Sequence, residues 1–153
     1  MRKKDGTIRF CVDYRKLNAV TVKDSYPLPR IDDILDRLAG NSWFFTLDLK
    51  SGYCQIKVCP EDREKTAFSC GNGLWQFTVM SFGLCKASAT FERLMEHVLK
   101  KYLSEICLVY LDVIIFGKTF DEIMGNLRKV FLCLRAAHLK INPKKCILLI
   151  INI

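Results

Sequence analysis

The sequence has few of the residues that build a zinc site. It contains two histidines, and none of its eight cysteines is separated from another by the two residues of a CxxC motif. Structural zinc sites need four Cys or His ligands, which usually come in closely spaced pairs. We therefore expect no zinc centre. Most of the cysteines lie inside apolar stretches, where cysteine behaves as a small hydrophobic residue.

Long apolar runs are also missing. The longest, near Ile151, is far shorter than the ~20 residues of a membrane-spanning helix. The chain does not begin with a secretory signal peptide, and free cysteines are typical of reducing compartments. These absences predict a protein that is not secreted, that has no membrane partner and that works inside the cell, in the cytoplasm, the nucleus or both.

Acidic residues are the third shortage. The 16 Asp and Glu residues stand against 24 Lys and Arg residues, which gives a net charge of +8. An excess of positive charge favours anionic partners, and nucleic acid is the first candidate. The rest of the composition is that of an ordinary globular domain, because 153 residues with 50% hydrophobic content suffice for one core.

The order of strand-like and helix-like segments indicates the fold class. Segments with β-like patterns alternate with helical repeats, and Gly71-Asn72-Gly73 is a strong turn signal between two of them. This order predicts an α+β domain with a mainly antiparallel sheet and helices on one face. The predicted strands cover 7–14, 43–49, 55–58, 65–69, 74–80 and 106–116, and the predicted helices cover 30–39, 88–103 and 119–138.

Two aspartates interrupt apolar runs that otherwise resemble central strands. Asp48 lies in WFFTLDL, and Asp112 lies in ICLVYLDVIIF. A buried carboxylate is costly unless it is paired, hydrogen-bonded or bound to a metal ion, and Mg²⁺ accepts one or two carboxylates together with substrate phosphates. Spacing alone leaves two interpretations open. Either the aspartates meet across the sheet at a metal site, or each ends its strand and faces solvent.

Several motifs in a consistent order resemble those of a known family. They are RKKDGTIRFCVDYRKLNAVT, DSYPLPRIDDILDRLAG, LDLKSGYCQI, MSFGLCKASATFERLM, YLDVIIFGKTF and LRAAHLKINPKKC. They run from about Lys3 to Cys146 and are similar to the reverse transcriptase, or RNA-directed DNA polymerase, of Ty3/gypsy-type retrotransposon Pol polyproteins. The resemblance implies a reverse-transcriptase palm, which is a ferredoxin-like antiparallel sheet with helices on one face, together with partial fingers and without a thumb.

The resemblance implies catalytic roles for the two aspartates. Asp48 matches the first metal-binding aspartate of the palm, and Asp112 matches the first aspartate of the family's tyrosine-x-Asp-Asp hairpin. In the family, two Mg²⁺ ions bridge the incoming deoxynucleoside triphosphate and the 3′ hydroxyl of a primer on an RNA or DNA template. Two ions ~3.5–4 Å apart suit such a displacement, since they clamp the attacking and leaving oxygens.

The resemblance also implies nucleotide-binding residues. Tyr53 matches the aromatic gate whose ring excludes a ribose 2′ hydroxyl and so favours deoxynucleotides. Arg9, and less closely Lys3, match the basic fingers residues that close on the triphosphate. Phe82 and Gly83 match the turn of the nucleotide pocket that opens the long helix. Without the resemblance, Tyr53 is more simply a core residue, and the basic residues are more simply a solvated strand edge.

The active-site hairpin departs from the family pattern. Tyr110, Leu111 and Asp112 follow the motif, but Val113 stands where the family has a second aspartate. Either Val113 replaced that aspartate, or one aspartate was deleted and Val113 belongs to the next strand. A deletion would slip the register by one residue and exchange the faces of the residues that follow. Both changes reduce three carboxylates to two, so we expect weakened Mg²⁺ binding and little or no polymerase activity.

The resemblance predicts one fingers and palm domain over 1–146. An unrelated apolar tail over 147–153 follows, which either pairs as an edge strand or promotes aggregation. Three functions stay open: an impaired polymerase, a catalytically dead remnant that binds nucleic acid, and a decayed fragment of an element. Six basic residues and no acidic ones between Arg128 and Lys145 would form the binding face of such a remnant.

Overall fold

The structure is a computed structural model that describes residues 6, 10–24, 26, 30–110 and 112–150. The chain divides into two compact units. Unit 1 consists of Met1–Ser25 and Tyr53–Ser88, and unit 2 consists of Tyr26–Gly52 and Ala89–Ile153. The helices and strands, in chain order, are α1 (Arg15–Val20), α2 (Ile31–Leu38), β1 (Trp43–Leu47), β2 (Phe68–Cys70), β3 (Gly73–Trp75), α3 (Ala87–Leu99), β4 (Cys107–Tyr110), β5 (Asp112–Gly117), α4 (Phe120–Ala136) and β6 (Ile147–Ile150).

A four-stranded antiparallel sheet forms the centre of unit 2. Its strands lie in the order β4-β5-β1-β6, and each neighbouring pair is antiparallel. The two central strands have the sequences WFFTL and DVIIFG, in which aromatic and β-branched residues predominate, as is usual on a pleated and buried surface. The predicted α+β class with a mainly antiparallel sheet is confirmed.

Side-chain alternation gives this sheet two faces, and α4 covers one of them. Val113 and Ile115 of β5 share that face with Leu47 of β1, and all three are fully buried. A side chain added at Gly117 would come within 3.1 Å of the Ile123 backbone nitrogen. Glycine at this position therefore lets α4 approach the end of β5 closely.

An apolar cluster lies on the opposite face of the sheet. Phe44, Leu108 and Phe116 of three neighbouring strands pack against Ile34 of α2, and Tyr110 packs at the side of the cluster. Helices therefore pack on both faces of the sheet, with α4 on one and α2 on the other, whereas the sequence predicted helices on one face only. The apolar spacing of 30–39 predicts α2 correctly, but a spacing pattern carries no information about which face of a sheet the helix will cover.

Helix α4 begins where the capping box predicts. The Thr119 hydroxyl oxygen accepts a hydrogen bond from the Glu122 backbone nitrogen at 3.2 Å, and the Glu122 carboxylate accepts one from the Lys118 backbone nitrogen at 2.8 Å. Such bonds satisfy amide groups that have no partner inside the first turn of a helix. The buried Asn126 amide also donates to the Phe116 carbonyl oxygen at 3.0 Å, which ties α4 to β5.

The predicted strand over 7–14 is wrong for its described part. Residues 10–13 are irregular, and Tyr14 leads into α1, which the sequence pattern did not predict. The Asp13 carboxylate accepts a hydrogen bond from the Arg15 backbone nitrogen at 3.0 Å, and such local side-chain bonds turn the chain out of an extended conformation. Tyr14 is buried, and its hydroxyl donates to the Thr66 carbonyl oxygen at 3.1 Å.

Three further strand predictions in unit 1 are largely wrong. In place of the strand over 55–58, the chain has the 3₁₀ helix Gly52–Gln55 and then a single isolated bridge between Lys57 and Val79. Pro60–Thr66 forms a 3₁₀ helix instead of the loop and strand predicted there, because Pro60 pre-sets the helical φ angle and two acidic residues follow it in the first turn. The predicted strand over 74–80 is reduced to β3. The turn signal is confirmed, since Cys70 pairs with Gly73 and a two-residue loop closes the β2–β3 hairpin.

The apolar segment after Cys146 forms β6. Residues Ile147, Leu148 and Leu149 pair with the opposite residues of β1, so of the two alternatives for this segment the structure has the edge strand. The sheet thus continues beyond the predicted boundary at 146, and these three side chains are about half exposed.

None of the helices among the described residues is long and apolar enough to cross a membrane.

Candidate active site

Asp48 directly follows β1, and backbone hydrogen bonds hold it at the end of the sheet. Its carbonyl oxygen accepts a hydrogen bond from the Asn142 amide at 2.8 Å, and the Lys50 amide donates to the Lys140 carbonyl oxygen at 2.9 Å. The chain after β1 therefore stays in antiparallel contact with residues 140–142. The Asp48 side chain is 24% exposed, so its carboxylate is accessible at this end of the sheet.

The register of β1 and β5 brings the two aspartates together. Leu47 pairs with Val113 at the end of an uninterrupted antiparallel ladder. Extending that ladder by one residue places Asp48 opposite Asp112, the first residue of β5. Residues directly opposite each other on antiparallel strands have Cβ atoms ~4.5–5.5 Å apart. The two carboxylates therefore meet across the sheet.

The acidity of Asp112 reflects this arrangement. Partial burial and the negative charge of Asp48 raise the pKa of Asp112 above its ordinary value, and the positive charge of Lys145 lowers it in part. An ionised carboxylate repels a second one nearby, so the charge of Asp48 favours the protonated form of Asp112. The pair therefore attracts positive charge.

Lys145 supplies part of that charge. Its Nζ lies 3.2 Å from Asp48 Oδ2, and its backbone nitrogen donates to the Asn142 carbonyl oxygen at 3.0 Å in the short 3₁₀ helix Pro143–Lys145. The sequence pattern predicts a general basic surface at this residue and does not indicate its contact with Asp48. The contact depends on the antiparallel pairing of residues 48–50 with 140–142, for which the sequence offers no short-range signal.

The two carboxylates suit a hard divalent cation. Mg²⁺ binds oxygen ligands and commonly takes one or two carboxylates together with substrate phosphates, which is what Asp48 and Asp112 can offer. Among the described residues, no group of three or more His, Cys, Asp or Glu side chains is placed to hold a metal ion, so these two carboxylates have no third side chain of these types beside them. The site therefore fits a metal ion whose coordination is completed by other oxygen ligands.

The other hairpin residues have mainly structural positions. Val113 is fully buried on the α4 side of the sheet, and Tyr110 packs beside the apolar cluster on the opposite face. Tyr110 pairs with Asp112 across the hairpin. Leu111 lies outside the described residues, as do the predicted nucleotide contacts Lys3 and Arg9.

The remaining predicted nucleotide-binding residues belong to unit 1. The Tyr53 and Phe82 rings lie with their centroids 5.4 Å apart, and the Tyr53 hydroxyl is hydrogen-bonded to the Ser88 hydroxyl at 2.9 Å. Gly83 has φ +97°, a conformation that residues with a side chain rarely adopt. Tyr53 is therefore not a fully buried core residue. It is only partly buried, its ring contacts the Phe82 ring, and its hydroxyl group forms a hydrogen bond.

Asn18 holds the turn that follows Phe82, a role that the sequence pattern does not predict. Its side-chain amide donates to the Gly83 carbonyl oxygen at 2.7 Å, and its amide oxygen accepts a hydrogen bond from the Cys85 backbone nitrogen at 2.9 Å. One side chain thus satisfies two backbone groups of the turn. A lone Asn in a helical segment carries no sequence signal for a contact 65 residues away.

Comparisons with known proteins agree with the sequence motifs. A family model described as "Reverse transcriptase (RNA-dependent DNA polymerase)" matches residues 1–150. The Retrovirus-related Pol polyprotein from transposon gypsy of Drosophila melanogaster is 42% identical over 138 residues, which are 90% of this chain and 13% of that protein. The RNA-directed DNA polymerase homolog of Oenothera berteroana is 44% identical over 128 residues, which are 81% of this chain and 90% of that protein.

Solved structures give the same result. The foamy viral protease-reverse transcriptase dRH in complex with ds DNA has a TM-score of 0.88 and 26% sequence identity with this chain. The match covers 97% of this chain and 26% of that protein. The chain thus spans about a quarter of the foamy viral protein and a smaller part of the gypsy polyprotein.

The pKa of Asp112 provides a test of this site. Replacing Asp48 with Asn removes a negative charge, so the Asp112 pKa should fall towards its ordinary value, whereas Lys145→Met removes a positive charge and should raise it further. Carboxyl ¹³C chemical shifts followed through a pH titration report both changes. Lys144→Met is the matched control, since it removes the neighbouring charge. An Asp112 pKa that is the same in all variants would contradict the pairing.

Proposed function

The chain belongs to the reverse transcriptase (RNA-dependent DNA polymerase) family of Ty3/gypsy-type retrotransposons, and from this membership we propose that it carries an impaired site for templated nucleotidyl transfer. In this reaction the 3′ oxygen of a primer forms a bond to the α-phosphorus of a deoxynucleoside triphosphate, and pyrophosphate leaves. The observation that carries the proposal is the position of Asp48 opposite Asp112 at the end of the β1–β5 ladder.

Each aspartate has a separate part in the proposed site. Asp48, held through its backbone by Asn142, would bind a cation from the β1 side, and Asp112 would bind it from the hairpin. Reverse transcriptases generally use divalent metal ions, and we assign Mg²⁺ to this pair, with two ions expected in a complete site. When bound, Mg²⁺ supplies neutralisation of the phosphate charge and activation of the primer oxygen.

The unit 1 residues would receive the deoxynucleotide. We assign the ring of Tyr53 to the exclusion of a ribose 2′ hydroxyl, and the Phe82–Gly83 turn to contact with the nucleotide. The Asn18 hydrogen bonds keep that turn in one conformation, which supports this assignment because a site held by hydrogen bonds loses less entropy on binding. Lys3 and Arg9 would contact the triphosphate.

The impairment follows from the number of carboxylates. Positioning and charge neutralisation supply nearly all of the catalysis in phosphoryl transfer. Two carboxylates attract a cation less strongly than three, and the Lys145 ammonium group at 3.2 Å from Asp48 competes for the same negative charge. Metal binding should therefore be weak, and the rate of nucleotide addition should be low.

A second candidate function, nucleic-acid binding without catalysis, is supported by an exposed basic surface of unit 2. Between positions 128 and 145 the chain has no acidic residue, and its basic side chains are solvent-exposed. We define this as the basic surface; it consists of Arg128, Lys129, Arg135, Lys140, Lys144 and Lys145. Such a surface can bind phosphate groups whether or not the metal site works. The proposed partner of the chain is a primer on an RNA or DNA template.

All eight cysteines are free thiols, and four of them are exposed. The prediction that they behave as small hydrophobic residues is confirmed for Cys107, which is buried and whose pKa burial raises to about 12, and is wrong for the four exposed ones. Exposed thiols persist in a reducing environment, which supports the proposal that the chain works inside the cell.

A third possibility, a decayed fragment of an element, would differ from both candidate functions by showing neither primer extension nor salt-dependent binding of nucleic acid.

Single-nucleotide extension of a labelled primer tests the proposed activity. With Mg²⁺ and a deoxynucleoside triphosphate, the unaltered chain should extend the primer only in trace amounts, and Asp48→Asn should lower that rate by roughly 10²-fold or more. Asp36→Asn, on the exposed surface of α2, is the matched control. Fast extension by the unaltered chain would contradict the impairment, and extension that survives Asp48→Asn would contradict the role of Asp48.

Salt-dependent binding of a primer–template tests the basic surface. Replacing Arg135, Lys140 and Lys144 with Gln should weaken binding and reduce the slope of log K against log salt by about one for each phosphate that the variant no longer neutralises. Fluorescence anisotropy measures both quantities. The control variant replaces three exposed basic residues outside this surface with Gln: Lys100, Lys101 and Lys118. Equal weakening in the two triple variants would rule out a binding role specific to the basic surface.

A further inference from the structure

We infer that the hairpin between β4 and β5 lacks one loop residue, and that a second hairpin carboxylate belongs in an insertion between Asp112 and Val113. Val113 is then an ordinary strand residue that does not occupy the place of a metal ligand. A carboxylate at the insertion would act in the reaction proposed above, so its catalytic role rests on the proposed function. The inferred loop length rests only on the pairing register of β4 and β5 and does not depend on the proposed function.

A single residue separates two residues that pair across the hairpin. Tyr110 at the end of β4 pairs with Asp112 at the start of β5, and only position 111 lies between them. Two-residue loops are the commonest hairpin connections, because their turns match the twist of the flanking strands, and the other common loops are longer. This hairpin is therefore one residue shorter than the smallest common loop.

Substitution at Val113 would produce a different register. If Val113 had replaced an aspartate in a hairpin with a two-residue loop, Tyr110 would pair with Val113, and Val109 would pair with Ile114. The structure instead pairs Val109 with Val113. A slip of one residue would turn every side chain of β5 to the other face of the sheet.

The burial of β5 agrees with the observed register. Val113 is fully buried, and so are Leu47 opposite it on β1 and Ile115 two residues further along. Asp112 is exposed and lies on the other face, as alternation requires. Position 113 therefore belongs to the apolar face under α4, where an ionised carboxylate would be costly.

An aspartate inserted between Asp112 and Val113 would leave this pairing intact. Val113 would keep its partners Val109 and Leu47, because the added residue lengthens only the loop. Positions 111 and 112 would then form a two-residue loop, and the added residue would take the strand position opposite Tyr110. Asp48 and two hairpin carboxylates would meet at the same end of the sheet.

Four variants of the full chain test this inference. The first two insert Asp or Asn between Asp112 and Val113, so that they share a loop length and differ in one charge. The other two, Val113→Asp and Val113→Asn, place the same two side chains at the substitution position. Thermal melting followed by circular dichroism reports folding, a Mn²⁺ titration followed by electron paramagnetic resonance reports metal binding, and primer extension reports activity.

Both insertions should melt at or above the temperature of the unaltered chain, because they relieve the short loop. Val113→Asp should melt lower by about 10 °C or more, or lose its cooperative transition, because it buries a charge. The Asp insertion should bind Mn²⁺ more tightly than the Asn insertion, by on the order of tenfold, since carboxylate charge sets the affinity of such sites.

The opposite order of stability would overturn the inference. If both insertions unfold the chain, or if Val113→Asp folds like the unaltered chain and gains Mn²⁺ affinity, Val113 occupies the position of a replaced ligand. If the insertions are the stable pair and the Asp insertion binds Mn²⁺ but does not extend a primer, the inferred loop stands and the proposed function fails. Primer extension by the Asp insertion, and not by the Asn insertion, would support both.

Discussion

The antiparallel pairing of β1 with β5 is the constraint on which the rest of the structure depends. Because Leu47 and Val113 are paired and fully buried, the residue after one and the residue before the other must lie opposite each other at the end of the sheet. These two residues are Asp48 and Asp112. The apolar side chains that hold the strands in register thus determine where the carboxylates meet, without contacting the carboxylates themselves.

The closeness of the Asp48 and Asp112 carboxylates, on which the proposed cation site depends, also lowers the stability of the folded chain. Asp112 has a raised pKa, so its ionised form destabilises the folded chain at neutral pH relative to the unfolded chain, in which the pKa is ordinary. Lys145 offsets part of that repulsion through Asp48. Functional sites commonly break local rules in this way, and the surrounding structure compensates. Under the proposed function, having two carboxylates instead of three would ease the repulsion and would weaken the attraction for a metal ion through the same change in charge.

The parts of the fold that follow from local patterns could be predicted from the sequence. Strong apolar runs predict β1 and β5, and the Thr119 capping box predicts the start of α4. The segment around Asp13 could not be predicted, because hydrogen bonds from Arg15 to the Asp13 carboxylate favour a turn there and leave no periodic pattern in the sequence. Lys145 contacts Asp48, which is 97 positions away in the sequence, and Asn18 contacts Gly83, which is 65 positions away. Such contacts form only when the chain folds, so no local pattern predicts them.

The central claim is that Asp48 and Asp112 form one cation site, and paramagnetic broadening tests it most directly. Substoichiometric Mn²⁺ added to ¹⁵N-labelled chain should broaden the amide signals near Asp48 and Asp112 first, and Mg²⁺ in excess should restore them. The same addition to Asp48→Asn should leave those signals sharp. Broadening that is centred elsewhere, or that persists unchanged in Asp48→Asn, would contradict the account.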